Sequence, residues 1–159
     1  MVSISLNRTP VFHASTLPSK CAGRAFPLVR LANPSADPLE WKQYVRTISK
    51  KSRNVGGLTV IEDGRGYVHC LFSWRVLPQI NYRTALRISD FIIASLPGRA
   101  IHDAVLTEFR NIADATGADA IVVEASDNVG CLRWDALLAS GFWPVSERFN
   151  LVRLTSCRA

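Results

Sequence analysis

The sequence predicts an α/β protein with a mixed, mostly antiparallel sheet of six to seven strands flanked by helices. Two observations predict this class. Residues 57–62 and 67–76 read as two strands joined by the turn sequence Asp-Gly-Arg-Gly, which is typical of a β-hairpin. Residues 86–142 then alternate strand, helix, strand and helix, as in a parallel β-α-β unit. Antiparallel strands joined to a crossover unit of this kind form a mixed sheet covered by helices.

The crossover unit is the most informative segment of the chain. A hydrophobic strand over residues 86–95 ends in the turn of residues 96–99, and a long amphipathic helix follows over Ala100–Thr116. A second strand over residues 120–125 and a shorter helix ending at residues 140–142 complete the unit. The first N–H groups of a helix have no intrahelical partner and lie at the positive end of its dipole. The start of the long helix is therefore predicted to hold a phosphate or pyrophosphate.

The chain before the hairpin divides near residue 26. Residues 1–25 contain no acidic residue and little periodicity, which predicts a disordered extension or a first strand of little functional weight. Residues 26–31 read as a short strand, and Asp37 and Pro38 have the chemistry of a helix start. The predicted domains are this extension, 1–25, and a single domain, 26–159.

The residue pattern predicts four further structural features. In the return strand of the hairpin, one face is predicted to carry the alternate residues Val68, Cys70, Phe72, Trp74 and Val76. Residues 79–83 are predicted to form a loop and residues 149–154 a last strand. The last helix is predicted to bury one face made of Trp134, Leu137, Leu138 and Phe142.

Composition limits the partners. The 159 residues carry 19 Lys and Arg against 13 Asp and Glu, a formal charge of +6, which favours a phosphorylated cofactor, nucleic acid or an acidic surface. A basic solvated surface without a partner is the alternative. The basic run at residues 50–53 follows a predicted helix, where cations complement the helix dipole, and this interpretation ranks above nucleic-acid binding.

Membrane insertion, disulfides and metal sites are not predicted. No segment approaches the ~18 consecutive apolar residues of a membrane span. The four cysteines show no C-x-x-C pair, so reduced thiols and a cytoplasmic location are expected. The histidines, His13, His69 and His102, have no metal-ligand spacing with a cysteine, and no nucleophile elbow or Walker loop occurs.

Residues 26–154 resemble the GNAT acetyltransferase superfamily in the order and spacing of four segments. Residues 87–93 match its fourth strand, 97–106 its acetyl-CoA loop and helix, 120–125 its fifth strand, and 137–142 its helix that ends in Gly-Phe. The resemblance implies a GNAT-like fold that binds acetyl-CoA, the acyl donor, between the fourth and fifth strands. It also implies cofactor-binding residues at Ile92, Ile93, Ala94, Gly98, Arg99, Ala100, Ile101, His102 and Asn128.

The chain departs from the family pattern in its phosphate loop and at its catalytic tyrosine. The loop pattern Arg/Gln-x-x-Gly-x-Gly/Ala aligns with residues 97–102, so that Pro97, Ala100 and His102 stand at its basic or amide, glycine and small positions. The tyrosine that protonates the departing thiolate aligns with Leu137, which cannot transfer a proton.

Two carboxylates, Asp90 and Glu124, lie on the strands that flank the predicted crevice and are the candidate catalytic bases. Strand-end carboxylates bonded to neighbouring backbone are the alternative interpretation. The predicted function is transfer of an acetyl or other acyl group from acetyl-CoA to an amine of a small molecule or a peptide. A catalytically weak GNAT-like CoA-binding or regulatory module is the alternative, a basic nucleic-acid-binding protein ranks third, and a homodimer is left open.

Overall fold

A mixed sheet of seven strands forms the centre of the computed structural model, which describes residues 11–51, 55–124, 134–144 and 150–154. The strands are β1 (Phe12–Thr16), β2 (Gly56–Asp63), β3 (Val68–Pro78), β4 (Thr84–Ile93), β5 (Ala120–Glu124), β6 (Trp143–Pro144) and β7 (Asn150–Leu154). Their order in the sheet is β1-β2-β3-β4-β5-β7-β6. All pairs are antiparallel except β4–β5, which is parallel. The predicted fold class, including the hairpin and the crossover unit, is confirmed.

The helices begin and end where local chemistry favours it. They are a 3₁₀ helix (Ser19–Arg24), α1 (Phe26–Ala32), α2 (Pro38–Ser49), α3 (Ala100–Thr116) and α4 (Trp134–Ala139). Asp37 caps α2, since its Oδ1 accepts hydrogen bonds from the N–H groups of Leu39 at 2.8 Å and Glu40 at 3.0 Å. Gly117 ends α3 in the left-handed region, at φ 69°.

Two hydrophobic layers cover the two faces of the sheet. The layer with α3 contains an aromatic cluster in which the rings of Phe72 and Phe109 lie 5.0 Å apart at 84°. The layer with α1 and α2 contains Leu17, Leu28, Trp41, Val45 and Leu71. Helices therefore flank both faces of the sheet, as predicted.

The predicted boundary at residue 26 is wrong. β1 pairs with β2 over five residues, from Phe12 opposite Asp63 to Thr16 opposite Thr59, so a first strand exists and belongs to the sheet. The indole Nε1 of Trp41 donates to the carbonyl of Ala22 at 2.7 Å, which ties the 3₁₀ helix to α2. Residues 12–25 are thus part of the folded core. Residues 1–10 lie outside the described residues.

Residues 26–31 form a helix, α1, and the predicted strand is wrong. The buried residues Ala22, Ala25 and Leu28 recur every three positions, which is the spacing of a helical face. Pro27 stands in the first turn of α1, where its missing N–H costs no intrahelical hydrogen bond. The prediction failed because the helical spacing begins before residue 26, in residues that were assigned to the extension.

An irregularity in the hairpin moves Val68 to the opposite face from the one predicted. Ile61 faces Cys70 but the next β2 residue, Glu62, faces Val68, so β3 carries one extra residue at His69. Val68 consequently packs with the α1–α2 layer, whereas Cys70, Phe72, Trp74 and Val76 keep to the α3 layer as predicted.

The last helix buries part of its predicted face. Leu137 is 4% exposed and Phe142 is 3% exposed, and both pack in the α3 layer. Leu138 is 51% exposed, so its predicted burial is wrong. Gly141, at φ 84°, lets the N–H of Phe142 donate to the carbonyl of Leu137 at 3.1 Å and so ends the helix. The side chain of Trp134 lies outside the described residues.

Candidate functional site

The described parallel pairing of β4 with β5 ends before β4 does. This pairing runs from Ala85 opposite Ala120 to Ile88 opposite Val123. β4 continues through residues 89–93. In the described part of the chain these residues have no partner on β5, and we call this side of the β4 end its open edge.

A β-bulge lies in this part of β4. Ser73 faces Ser89 but Leu71 faces Ile92, so two β4 residues, Asp90 and Phe91, stand opposite the single residue Phe72. Asp90 adopts φ 50°, in the left-handed region that a non-glycine residue seldom occupies. The bulge turns the Asp90 side chain to the α2 side of the sheet, where its carboxylate contacts α2 and β3.

The backbone beyond the bulge places hydrogen-bonding groups on the open edge. The N–H of Ala94 donates to the carbonyl of His69 at 2.7 Å, on the β3 side. Since the N–H and C=O groups of successive strand residues alternate between the two edges, those of Ile93 point to the β5 side. Of the predicted cofactor-binding residues Ile92, Ile93 and Ala94, Ile93 is therefore the one whose backbone groups point to this edge.

The start of α3 provides a second set of backbone donors. Gly98 makes the turn at φ 85°, and the cap residue Arg99 makes no side-chain hydrogen bond to the helix. The first intrahelical donor is the N–H of Asp103, which bonds to the carbonyl of Arg99 at 3.0 Å. The N–H groups of Ala100 and Ile101 precede it in the first turn, where a helix has no intrahelical acceptor for them, so they can be offered to an anion.

The side chains of the two bulky residues in this turn, Ile101 and His102, are buried in the fold. Ile101 is 1% exposed and His102 is 8% exposed. The imidazole that replaces a small residue of the family loop is therefore buried, and the residue contributes its backbone to the start of the helix. Of the predicted cofactor residues, Gly98 and Arg99 directly precede α3, and Ala100, Ile101 and His102 form its first turn.

A cleft of about 360 Å³ lies on the α2 side of the sheet, beside the open end of β4. Its walls come from α2, β3, β4 and the end of β5, and both candidate bases, Asp90 and Glu124, line it. The remaining lining side chains are Tyr44, Thr47, Ile48, Lys51, Ser73, Trp74, Arg75, Leu77, Arg87 and Ser89.

Asp90 is held at the centre of a hydrogen-bond network. Its Oδ2 accepts from the hydroxyl of Tyr44 at 2.5 Å and from the hydroxyl of Ser73 at 2.7 Å. Burial of the phenol, and then its bond to Asp90, raise the pKa of Tyr44 well above its usual range. Tyr44 therefore remains a protonated donor, and the network fixes one carboxylate oxygen of Asp90 while the residue itself is exposed to the cleft.

Glu124 has a different environment. Its Oε1 accepts from the guanidinium of Arg87, which stands on the neighbouring strand β4 and also lines the cleft. Arg87 in turn lies directly opposite Arg75 across the β3–β4 pair. The two candidate bases thus share one cleft, but Glu124 has a cationic partner and Asp90 has hydroxyl partners.

Sequence reasoning missed Tyr44, Ser73, Arg75 and Arg87 as residues of the site. Tyr44 recurs with the apolar residues of α2 at helical spacing, so the sequence gives no sign that it belongs to a site. Ser73 and Arg75 share one face of β3, and polar side chains in a mostly apolar strand were the available signal. Asn128, the remaining predicted cofactor residue, lies outside the described residues.

The described residues contain neither a metal-ligating cluster nor a membrane-spanning helix. No group of three or more His, Cys, Asp or Glu side chains there could hold a metal ion. No helix in the same part of the chain is long and apolar enough to cross a membrane.

Solved structures share this fold over almost the whole chain. They include glucosamine-6-phosphate N-acetyltransferase from Arabidopsis thaliana, at 14% identity and TM-score 0.66 over 94% of this chain and 99% of that one. An acetyltransferase of the GNAT family from Streptococcus pneumoniae matches at 10% identity and TM-score 0.66, over 92% and 100%. An aminoglycoside N-acetyltransferase in complex with CoA matches at 9% identity and TM-score 0.70, over 97% and 98%. No family model and no curated protein sequence matches the chain. The fold is that of the GNAT acetyltransferases.

Proposed function

We propose that the protein is an N-acetyltransferase that transfers the acetyl group of acetyl-CoA directly to an amine of a small molecule or a peptide. The observation that carries this proposal is the end of β4, which leads into the start of α3 with the N–H groups of Ala100 and Ile101 and which also lines a cleft containing an exposed carboxylate. The donor can reach the end of β4 from the start of α3, and the acceptor can reach it from the cleft. The fold shared with an aminoglycoside acetyltransferase solved with CoA supports the same arrangement.

The donor is assigned to the backbone. The N–H groups of Ala100 and Ile101 suit the pyrophosphate, because a helix start offers directed donors and a favourable dipole, and His102 stays a predicted contact. The Ile93 N–H suits the thioester carbonyl, whose oxygen gains negative charge during transfer. Asn128 is retained as a predicted contact.

The acceptor is assigned to the cleft. The nitrogen lone pair of the amine forms a bond to the thioester carbon, the C–S bond breaks, and CoA leaves as a thiolate. We assign the amine proton to Oδ1 of Asp90, since Tyr44 and Ser73 both bond to Oδ2. Water is assigned to protonate the thiolate because Leu137 has no proton to give. Glu124, paired with Arg87, is assigned to binding within the cleft.

One observation favours the second candidate, a CoA-binding module with little activity. The residue at the position of the family's tyrosine, Leu137, is 4% exposed and packs in the α3 layer. A buried leucine provides packing where most family members provide an acid. Release of CoA in the presence of an amine separates the two functions, since a binding module binds acetyl-CoA without releasing thiol.

Location and assembly form part of the proposal. Cys21 and Cys70 are both free thiols, which is compatible with the reducing cytoplasm where we place the reaction. Burial raises the pKa of the Cys70 thiol and so keeps it protonated and unreactive. A homodimer stays a prediction.

Replacing Ala100 with proline should abolish stabilisation by CoA. Proline fits the first helical position but removes one N–H from the proposed pyrophosphate site. In the wild type, acetyl-CoA at 100 times its Kd should add about 2.7 kcal/mol, which raises Tm by roughly 5–10 °C for a chain of this size. The measurement is thermal unfolding with and without acetyl-CoA or CoA.

The matched control is Ala100→Ser, which keeps the N–H and should keep the shift. A folded Ala100→Pro variant with an unchanged shift would show that this helix start does not bind the donor.

A further inference from the structure

Two arginines face each other across the floor of the cleft. Arg75 on β3 lies directly opposite Arg87 on β4, and both line the cleft. Side chains directly opposite in an antiparallel pair have Cβ atoms about 4.5–5.5 Å apart, and like charges at such positions are unfavourable. The fold therefore maintains a local repulsion at this point.

Only one of these arginines has a carboxylate partner in the described part of the chain. The guanidinium of Arg87 pairs with Glu124. The other two ion pairs described join Arg24 with Glu62 and His69 with Asp63, so they leave Arg75 without a carboxylate. Both arginines are exposed and can be reached by a small molecule.

The charges that line the cleft leave an excess of positive charge beside Asp90. Among the described residues that line it, three cationic side chains, Lys51, Arg75 and Arg87, stand against two carboxylates, Asp90 and Glu124. Arg87 and Glu124 cancel as a pair, and Oδ2 of Asp90 already binds two hydroxyl groups. Two cations then remain, Lys51, which follows α2, and Arg75. They lie beside one free carboxylate oxygen, Oδ1 of Asp90. The cleft thus offers a carboxylate for an amine and two cations for an anion.

We propose that the acceptor of the transfer is an amine that also carries a phosphate or carboxylate, which binds Arg75 and Lys51 while the amine lies at Asp90. This inference rests on the proposed function and specifies its substrate class. Arg75 suits the role because a guanidinium presents paired donors that match the oxygens of a carboxylate or phosphate. Binding of the anion also removes the repulsion between Arg75 and Arg87.

The register of β3 sets the spacing between the two groups of the acceptor. Ser73, which bonds to Asp90, and Arg75 are successive residues on the same face of β3. Residues two apart in a strand are separated by on the order of 7 Å. The amine and the anion of the best acceptor should be separated by a similar distance, so an acceptor of intermediate length is expected to be preferred.

The test measures kcat/KM for ω-amino carboxylates of increasing length, from 4-aminobutanoate to 6-aminohexanoate, each against its own neutral amide. O-phosphoethanolamine against ethanolamine extends the comparison to phosphate. The dipeptide amides Ala-Asp and Ala-Asn show whether an acidic peptide serves as well as a small molecule. Wild type should prefer the anionic member about tenfold to a hundredfold, as expected for charge-assisted hydrogen bonds. Arg75→Gln should remove that preference.

Lys42→Gln is the matched control, because Lys42 is exposed on the outer face of α2 and does not line the cleft. It should retain the wild-type preference. Equal kcat/KM for anionic and neutral partners in the wild type would overturn the inference. So would an Arg75→Gln variant that loses its stabilisation by CoA, since Arg75 would then belong to the donor site.

A second measurement tests the anion site independently of acyl transfer. If no amine in the panel is acetylated, thermal unfolding with 6-aminohexanoate and with its amide still decides the anion site. Stabilisation by the carboxylate alone, lost in Arg75→Gln, would support the site without the reaction. Equal shifts for both compounds would contradict it.

Discussion

Replacing Asp90 with asparagine should lower kcat/KM for amine acetylation about a hundredfold to ten-thousandfold, the range expected for loss of a general base. The amide can still accept hydrogen bonds from Tyr44 and Ser73, but it cannot take a proton from the amine. The stabilisation by acetyl-CoA should not change, because the donor is assigned to the backbone of β4 and α3. Steady-state kinetics and thermal unfolding of the same variant check both expectations.

Asparagine is also the substitution that this backbone tolerates best. Asp90 stands at φ 50°, and asparagine adopts that region more readily than other side chains. A loss of activity in Asp90→Asn therefore reports on the carboxylate, whereas Asp90→Ala would add backbone strain.

Glu124→Gln is the control for the second carboxylate of the cleft. Because Glu124 pairs with Arg87, its loss should affect acceptor binding and hence KM more than kcat. If Asp90→Asn retains wild-type kcat/KM and Glu124→Gln loses it, the base has been assigned to the wrong residue. If both variants remain fully active, deprotonation of the amine is left to solvent.

Leu137→Ala should lower the free energy of unfolding by about 2–5 kcal/mol, as truncation of a buried leucine does. Leu137 is 4% exposed and packs in the α3 layer, so the deleted methyl groups leave a cavity. Urea denaturation of the variant and the wild type provides the measurement.

The neighbouring leucine is the natural comparison. Leu138 is 51% exposed, so Leu138→Ala should change the free energy of unfolding by no more than about 0.5 kcal/mol. Equal effects of the two substitutions would show that the face of α4 is assigned wrongly, and with it the argument that leucine replaces a catalytic tyrosine.

The parts of the fold that could be predicted are those specified by local signals. Glycine turns at Gly66 and Gly98 and the Gly117 cap mark the ends of β2, β4 and α3, and Asp37 with Pro38 marks the start of α2. Each acts within a few residues, so the sequence alone reveals it. The α1 segment, by contrast, was read as a strand because its helical face is shared with the preceding 3₁₀ helix.

The candidate site was predictable only in part. The start of α3 and the end of β4 follow from the strand–turn–helix sequence. The β4 bulge, the approach of Tyr44 to Asp90 and the alignment of Arg75 with Arg87 depend on register between elements far apart in the chain. A shift of one residue changes which side chains face each other, and no local pattern fixes it.

The central claim, acetyl transfer from acetyl-CoA to an amine, is tested most directly by one coupled measurement. Wild-type protein is incubated with acetyl-CoA and a panel of amines, while released thiol and the mass of the acetylated amine are quantified together. We expect thiol and acetylated amine to appear in equal amounts, above the rate without protein, and to fall together in Asp90→Asn. Binding of acetyl-CoA with neither product above that background would contradict the claim and establish a CoA-binding module instead.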